Sequence, residues 1–241
     1  MQQQRDRGAP LGGGTADTHG LPDLPGLLAV LDHSQRSELA AAATRHVHTA
    51  GAFLSHEGRA SEGVTLVLEG LVRLSRSAPN GREVVLGLHG PGELLGDAFV
   101  PERRDRATSL KALTEVRSLR IPSRTFGAFL RQHPDAAQAV LHACAQRVRD
   151  VENLVLSRDS FDAPTRVLLQ LYRWARRAGR ELDDGRFEVL LPMNQSEIAS
   201  WVGTSRETVS KTLGELRVAG IVEPTGDGYV VDLPAAERRL P

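Results

Sequence analysis

Between residues 137 and 155, apolar or small side chains fall at Ala137, Leu141, Cys144, Val148, Val151 and Val155, in steps of four, three, four, three and four. Only an α-helix places such positions on one stripe, and this repeat is the one that lets a helix pack along its length against a second helix. Pro134-Asp135 suits the helix start, because proline fits a first turn whose amides have no intrahelical acceptor. Arg147, Arg149, Asp150, Glu152 and Arg158 border the stripe and suit edges in water. One face laid on a neighbouring domain would use the same residues. The regularity favours a pair of identical helices, hence a homodimer joined through residues 137–155.

Ahead of this rod the pattern changes. Residues 1–22 are rich in Gln, Gly, Thr and Pro, too poor in apolar surface for a core, and read as a disordered arm. From Leu24 to Ala43 the pattern is helical, carried by Leu27, Leu28, Leu31, Leu39 and Ala43, with a break from Asp32 to Ser37. Residues 44–122 hold short β-branched runs punctuated by glycine. Val64–Leu68, Leu71–Leu74 and Glu83–Leu88 are strand candidates, and Asn80-Gly81 between two of them is a hairpin signal, since both residues tolerate positive φ. Many short strands at such spacing predict a β-sandwich or jelly roll.

Behind the rod, Ser160–Pro164 reads as a hinge, with Asp162 capping a helix that carries Val167, Leu168, Leu171, Tyr172 and Trp174 and stops at Gly179. Phe187–Leu191 reads as a strand. Ile221–Pro224 and Gly228–Val231 flank Thr225-Gly226-Asp227 as a hairpin or wing. Between them, Asn194 to Lys211 reads as two short helices joined at Gly203. Asn194 caps the first, with Glu197 reciprocating, and Thr204 or Ser205 caps the second. Val209, Leu213 and Leu216 would bury the second helix's inner face, leaving Arg206, Ser210 and Lys211 outward.

That outer face suits DNA. Arg206 can donate two parallel hydrogen bonds to guanine, Glu207 can accept from cytosine, and Lys211 can donate to guanine or phosphate. Thr204, Ser205 and the amides at the start of the first helix, around Asn194 and Gln195, can hold phosphate oxygens. The bland alternative makes Thr204 and Glu207 a capping box and Arg206 a solvated charge. The strand before and hairpin after match a winged helix-turn-helix, and double-stranded DNA is the expected partner. A formal net charge of +0 argues against bulk coating of a polyanion, not against a local reading surface. One cysteine, Cys144, excludes an intrachain disulfide and a thiolate-held cluster from one chain. No apolar run is long enough to span a bilayer and no signal core opens the chain, so the expected location is cytoplasmic.

From residue 24 to about residue 233 the chain resembles the cyclic-AMP receptor protein/Fnr (Crp/Fnr) family of bacterial transcription regulators. The most specific likeness is Gln195 to Lys211, above all Val202-Gly203-Thr204-Ser205-Arg206-Glu207-Thr208-Val209. The resemblance implies an α+β chain: a disordered arm at 1–22, an N-terminal β-roll of jelly-roll, cyclic-nucleotide-binding-like form at 23–133, a dimerisation helix at 134–160 and a C-terminal winged helix-turn-helix at 161–241. It implies a homodimer on a palindromic site with half-sites of the GTGA type, and RNA polymerase as a further partner. Lys211 stands where the best-known member has arginine, so bidentate readout is lost there.

The same resemblance puts a phosphate-binding cassette at residues 92–99, with Gly96, Asp97 and Ala98 in it, its arginine at Arg106 and base-facing positions at Val151 and Glu152. A cyclic nucleotide is therefore a candidate effector. Yet Asp97 replaces the usual glutamate, Ala107 replaces a hydroxyl residue, and Val151 and Glu152 replace adenine-contacting hydroxyls. Another ligand, or an effector-independent regulator, stays open, with Arg106 then an ordinary surface arginine on a strand. His89 lies near where a haem ligand would be needed, but a lone histidine is more often a surface residue. His46-Val47-His48 puts two imidazoles on one strand face, and a cupin-like metal-dependent enzyme is the alternative from another class. It lacks the expected glutamate, since Ala52 and Phe53 stand there.

Overall fold

A computed structural model describes residues 21–60, 63–96 and 105–241. The chain divides into two compact units. Apart from Glu83–Val85, the first runs to Val148, and the second is Arg149–Pro241. Most of the expected arm, residues 1–20, lies outside the described residues.

The first unit starts with helices α1 (Leu27–Val30) and α2 (His33–Ala41). The Asp32 carboxylate accepts from the Gln35 amide at 2.8 Å, and the Gln35 side chain accepts from the Asp32 amide at 2.9 Å. The expected break from Asp32 to Ser37 is thus a reciprocal cap followed at once by helix. Eight strands follow: β1 (Thr44–His48), β2 (Phe53–Ser55), β3 (Val64–Glu69), β4 (Val72–Ser77), β5 (Glu83–His89), β6 (Leu94–Leu95), β7 (Ser109–Ala112) and β8 (Val116–Ile121). They form two four-stranded sheets, β1-β8-β3-β6 and β2-β7-β4-β5, as a jelly roll requires. The β4–β5 turn closes with the Ala78 amide on the Arg82 carbonyl at 2.8 Å. Gly81 has φ +78° but Asn80 does not, so the turn differs from the expected two-residue type.

Strand β3 shows why the unit has two cores. Val64, Leu66 and Leu68 point to one face, where Leu119 and Ile121 of β8 join Leu27, Leu28 and Leu39 from the helices. Val67 points to the other face and meets Leu54, Val72, Leu110 and Ala112 of the second sheet. A strand covered on both faces reads as a nearly continuous apolar run, which residues 64–68 are but for the buried Thr65. Helix α3 (Ser123–Gln132), not anticipated from the sequence, adds Phe126 and Phe129 to the helical side.

Helix α4 (Pro134–Ser160) carries the heptad stripe. Ala136 and Val140 are buried in the first unit's core, and Cys144 packs half-buried against it. The stripe then faces solvent: Leu141 is 68% exposed, Val148 58%, Val151 53% and Val155 54%. The stripe read from the sequence is therefore divided, with Cys144 packed on its own unit and Leu141, Val148, Val151 and Val155 left as an exposed apolar row.

In the second unit, α5 (Ala163–Ala178) is followed by β9 (Arg180–Glu181), β10 (Phe187–Leu190), α6 (Gln195–Val202), α7 (Arg206–Val218), β11 (Val222–Pro224), β12 (Gly228–Val231) and α8 (Leu233–Arg239). Asp162 caps α5 through the Thr165 amide at 2.9 Å, with Pro164 in the first turn, and Gly179 ends it. The strands pair in the order β11-β12-β10-β9. Among the described residues no helix is long and apolar enough to cross a membrane.

One buried base makes the β-roll sensitive to acid. His48 on β1 is 6% exposed, and its ring lies 6.0 Å from that of His46. Burial, then the charges of His46 and Arg120, push its pKa below the ordinary 6.5. The unfolded chain therefore takes up this proton more readily than the folded one. The stabilisation is complete above about pH 6.5 and is lost as pH falls below it. Lowering the pH from about 7.5 to about 5.5 should depress the melting temperature, and His48→Gln should remove part of that fall in a calorimetric series.

Candidate nucleic-acid interface

The helix pair α6–α7 is set by its ends. The Asn194 side-chain oxygen accepts from the amides of Ser196 at 2.9 Å and Glu197 at 3.0 Å, while the Glu197 carboxylate accepts from the Asn194 amide at 3.0 Å. Gly203 ends α6 in the left-handed region at φ +76°, ψ +50°, and the amides of Gly203 and Thr204 both return to the Ala199 carbonyl. A side chain at that φ would be strained, so the sharp turn calls for glycine. Ser205 then caps α7, its hydroxyl accepting from the Thr208 amide at 3.1 Å. The Thr204–Glu207 capping box is not the cap that forms.

Beneath the pair lies an apolar floor. Ile198, Ala199, Trp201 and Val202 of α6 are buried, as are Val167, Leu168, Leu171, Trp174 and Ala175 of α5. Trp174 and Trp201 meet edge to face at 6.4 Å, and the Trp174 indole donates to the Leu190 carbonyl at 3.0 Å. From α7, Val209, Thr212 and Leu216 are buried. Leu213, expected on that face, is only half-buried, and Thr212 takes the inner place.

The opposite side of α7 presents Arg206, Glu207, Ser210 and Lys211, all exposed, with Ser205 exposed and Thr204 half-buried at its start. Lys211 Nζ lies 4.0 Å from the Glu215 carboxylate. Glu207's own amide and the Ser205 hydroxyl, helped by the Arg206 charge, hold its carboxyl below the usual carboxylate range. An anionic acceptor, a guanidinium and an ammonium thus share one outward face. Such a face can accept from cytosine and donate to guanine or phosphate. At the α6 start the expectation changes. The Ser196 and Glu197 amides are engaged by Asn194, so they are not open to a phosphate as the sequence reading supposed. Asn194 stays exposed and Gln195 half-buried. Beyond α7, residues 223–227, the end of β11 and the turn into β12, are exposed, and Glu223 is paired at 3.0 Å with Arg186.

Of the candidate effector residues in the first unit, Gly96 and Arg106 come together. Arg106 is 5% exposed, not an ordinary surface arginine, and its Nη2 donates to the Gly63 carbonyl at 3.2 Å. Its Nη1 would sit 3.1 Å from a Cβ placed on Gly96, so a larger residue at Gly96 would crowd the guanidinium. Ala107 is half-buried and offers no hydroxyl. Asp97 and Ala98 lie outside the described residues. Val151 and Glu152 are exposed on α4, in the second unit. His89 is not a surface residue either. It is 6% exposed, with Nδ1 at 2.5 Å from the Glu93 carboxylate. Among the described residues no group of three or more His, Cys, Asp or Glu side chains is placed to hold a metal ion, and His46 and His48 stand as a pair.

Sequence reasoning missed two arginines that converge on the helix-turn-helix. Arg166 donates through Nη2 to the Gly203 carbonyl at 3.1 Å. Arg158 lies so close that a Cβ on Gly203 would meet its Nε at 2.9 Å. No motif flags either residue, because the contact joins positions far apart in the chain.

Residues 45–133 match the family model for the Cyclic nucleotide-binding domain, and residues 165–238 match the Crp-like helix-turn-helix domain. The chain is similar to a CRP-like cAMP-activated global transcriptional regulator of Mycobacterium tuberculosis, at 30% identity over 73% of this chain and 78% of that one. It is likewise similar to a Cyclic AMP receptor protein of Thermus thermophilus, at 31% identity over 77% of this chain and 82% of that one. The fold is shared with a CooA mutant from Carboxydothermus hydrogenoformans, with TM-score 0.71, 22% identity, and coverage of 91% of this chain and 97% of that one.

The reciprocal cap at Asn194 is a measurable part of this site. Asn194→Ala should lower the unfolding free energy by about 1 kcal/mol, within a range of roughly 0.5–2 kcal/mol, in a denaturant titration of the full chain.

Proposed function

The chain belongs to the Crp/Fnr family of DNA-binding transcription regulators, and from that premise we propose a homodimer that reads a two-fold symmetric DNA site through the exposed face of α7. The observation that carries the reading is the division of that helix: Val209, Thr212 and Leu216 inward, Arg206, Glu207, Ser210 and Lys211 outward. Arg206 pairs with the acceptors of a guanine and Glu207 with the amino group of a cytosine. Lys211 contacts guanine or phosphate from a single charge centre, so selectivity at its base is looser than an arginine would give. Thr204, Ser205, Ser210, Asn194 and Gln195 flank this face and reach the phosphates through side-chain groups.

In this proposal residues 23–133 form the sensing domain, residues 134–160 the dimerisation helix and residues 161–241 the DNA-binding domain. The exposed stripe of Leu141, Val148, Val151 and Val155 supports the partner helix of a second copy. Two recognition helices would then address half-sites about one helical turn apart, ~34 Å centre to centre. RNA polymerase is the partner through which such a protein acts on transcription, and the cytoplasm is where both are met. The chain works by binding, not by catalysis. At the sensing end, Gly96 and the buried Arg106 offer a guanidinium to an anion, and a cyclic nucleotide is one candidate. Ala107 withholds a hydroxyl from such a ligand, and Val151 and Glu152 offer no hydroxyl to a base. The ligand is thus not fixed as cyclic AMP.

Arg206→Ala should cost about 1–3 kcal/mol of specific affinity and relax preference at one base position, measured by binding to a panel of single-base operator variants. A preference left intact would remove Arg206 from base readout. Replacing both Val148 and Val151 by Glu should convert the dimer to monomer, read as a halved mass in sedimentation or light scattering. An unchanged mass would assign the seam to the chain itself.

A further inference from the structure

The hinge between α4 and α5 and the turn between α6 and α7 are joined by one side chain. Arg166, in the first turns of α5, donates through Nη1 to the Phe161 carbonyl at 2.8 Å and through Nη2 to the Gly203 carbonyl at 3.1 Å. Its Nε is buried and has no hydrogen-bond partner among the described residues. Phe161 lies between two helices, and Gly203 ends a third. Carbonyls in such places find no partner within a helix and carry the negative end of its dipole. A guanidinium suits both. Its donors form a flat, rigid fork, so two acceptors bound at once are held at a fixed separation. Beside the same turn stands Arg158, in the last turn of α4, with its Nε, Nη2 and Cζ at 2.9, 3.1 and 3.2 Å from where a Gly203 Cβ would lie. The last turn of α4 therefore touches the turn that launches the recognition helix, and Arg206 begins that helix three residues after Gly203.

We propose that Arg166 is a positioning residue for DNA recognition: by bridging the Phe161 and Gly203 carbonyls it fixes α7 relative to the end of α4, and so sets the half-site spacing that the dimer accepts. This rests on the dimeric reading above. Two α4 helices paired at a symmetry axis give each recognition helix a position only as definite as its attachment to the end of its own α4. Arg166 touches no base in this arrangement. It acts through the backbone of Gly203, and its loss leaves the reading groups of α7 intact while loosening where they stand.

The test compares full-length wild type, Arg166→Ala and Arg166→Lys on a series of operators with identical half-sites. Their centre-to-centre spacing is changed by −1, +1 and +2 base pairs. Wild type should prefer one spacing by roughly tenfold in Kd, about 1.4 kcal/mol. Arg166→Ala should flatten that preference to within about threefold while keeping the base preference inside each half-site. Arg166→Lys should also flatten it, because a single ammonium lacks the planar fork that holds both carbonyls. Melting curves are recorded first, and if the alanine variant does not fold, the lysine variant decides. Equal weakening at every spacing, with the preference kept, overturns the inference alone. A wild-type protein indifferent to spacing overturns the dimeric reading and the inference with it.

Discussion

At Gly203 the backbone turns through φ +76° and ψ +50°, and the direction in which Arg206, Glu207 and Lys211 leave the surface follows from that turn. Its amide and that of Thr204 share the Ala199 carbonyl, and its own carbonyl is taken by Arg166. These backbone groups of the turn are thus committed to the protein, which leaves side chains as the groups there with chemistry to offer. The apolar floor of Trp174, Trp201, Ile198 and Val209 fixes the roll of the two helices about their axes. The turn fixes the angle at which they diverge. Neither alone decides which residues face outward.

The division of α4 is a second constraint of the same kind. The apolar residues of this helix are shared between core and solvent. Ala136 and Val140 are spent on the core beside Phe126 and Phe129, while Leu141, Val148, Val151 and Val155 remain uncovered in the single chain. Apolar side chains standing at heptad spacing on one exposed face are costly to leave in water, at ~25 cal/mol for each Å² of apolar surface.

Local signals were the legible ones. The Asn194 cap, the Asp162 cap with Pro164, the glycine stops and the heptad all depend on residues within one or two turns of each other, and each stands where the sequence places it. What depends on tertiary packing was hidden. Helix α3 has no strong cap, since its N-cap Pro122 makes no side-chain hydrogen bond, and only its packing of Phe126 and Phe129 reveals it. Asp32 reads as a breaker because aspartate favours helix starts as much as loops, and the reciprocal bond from Gln35 decides between them. Thr212 displaces Leu213 from the inner face because the floor meets α7 along a line slightly rotated from the simplest apolar stripe. Arg106, Arg158 and Arg166 look alike in a chain with 30 Lys and Arg residues, nearly all arginine, and only folding separates the buried Arg106 and the bridging Arg166 from a solvated charge. For the site, the outward residues of α7 were readable from periodicity, but the amides already engaged at the α6 start were not.

The 27 residues of α4 contain no glycine, and their one proline is the first of them, Pro134. Such a helix has no built-in point of bending. At 1.5 Å per residue it is a beam about 40 Å long. Tilting one end by about 5° sweeps the other through roughly 3.5 Å, close to the rise of a single base step along a duplex. Over a helix of this length, an angle of a few degrees is therefore a displacement the size of a base step.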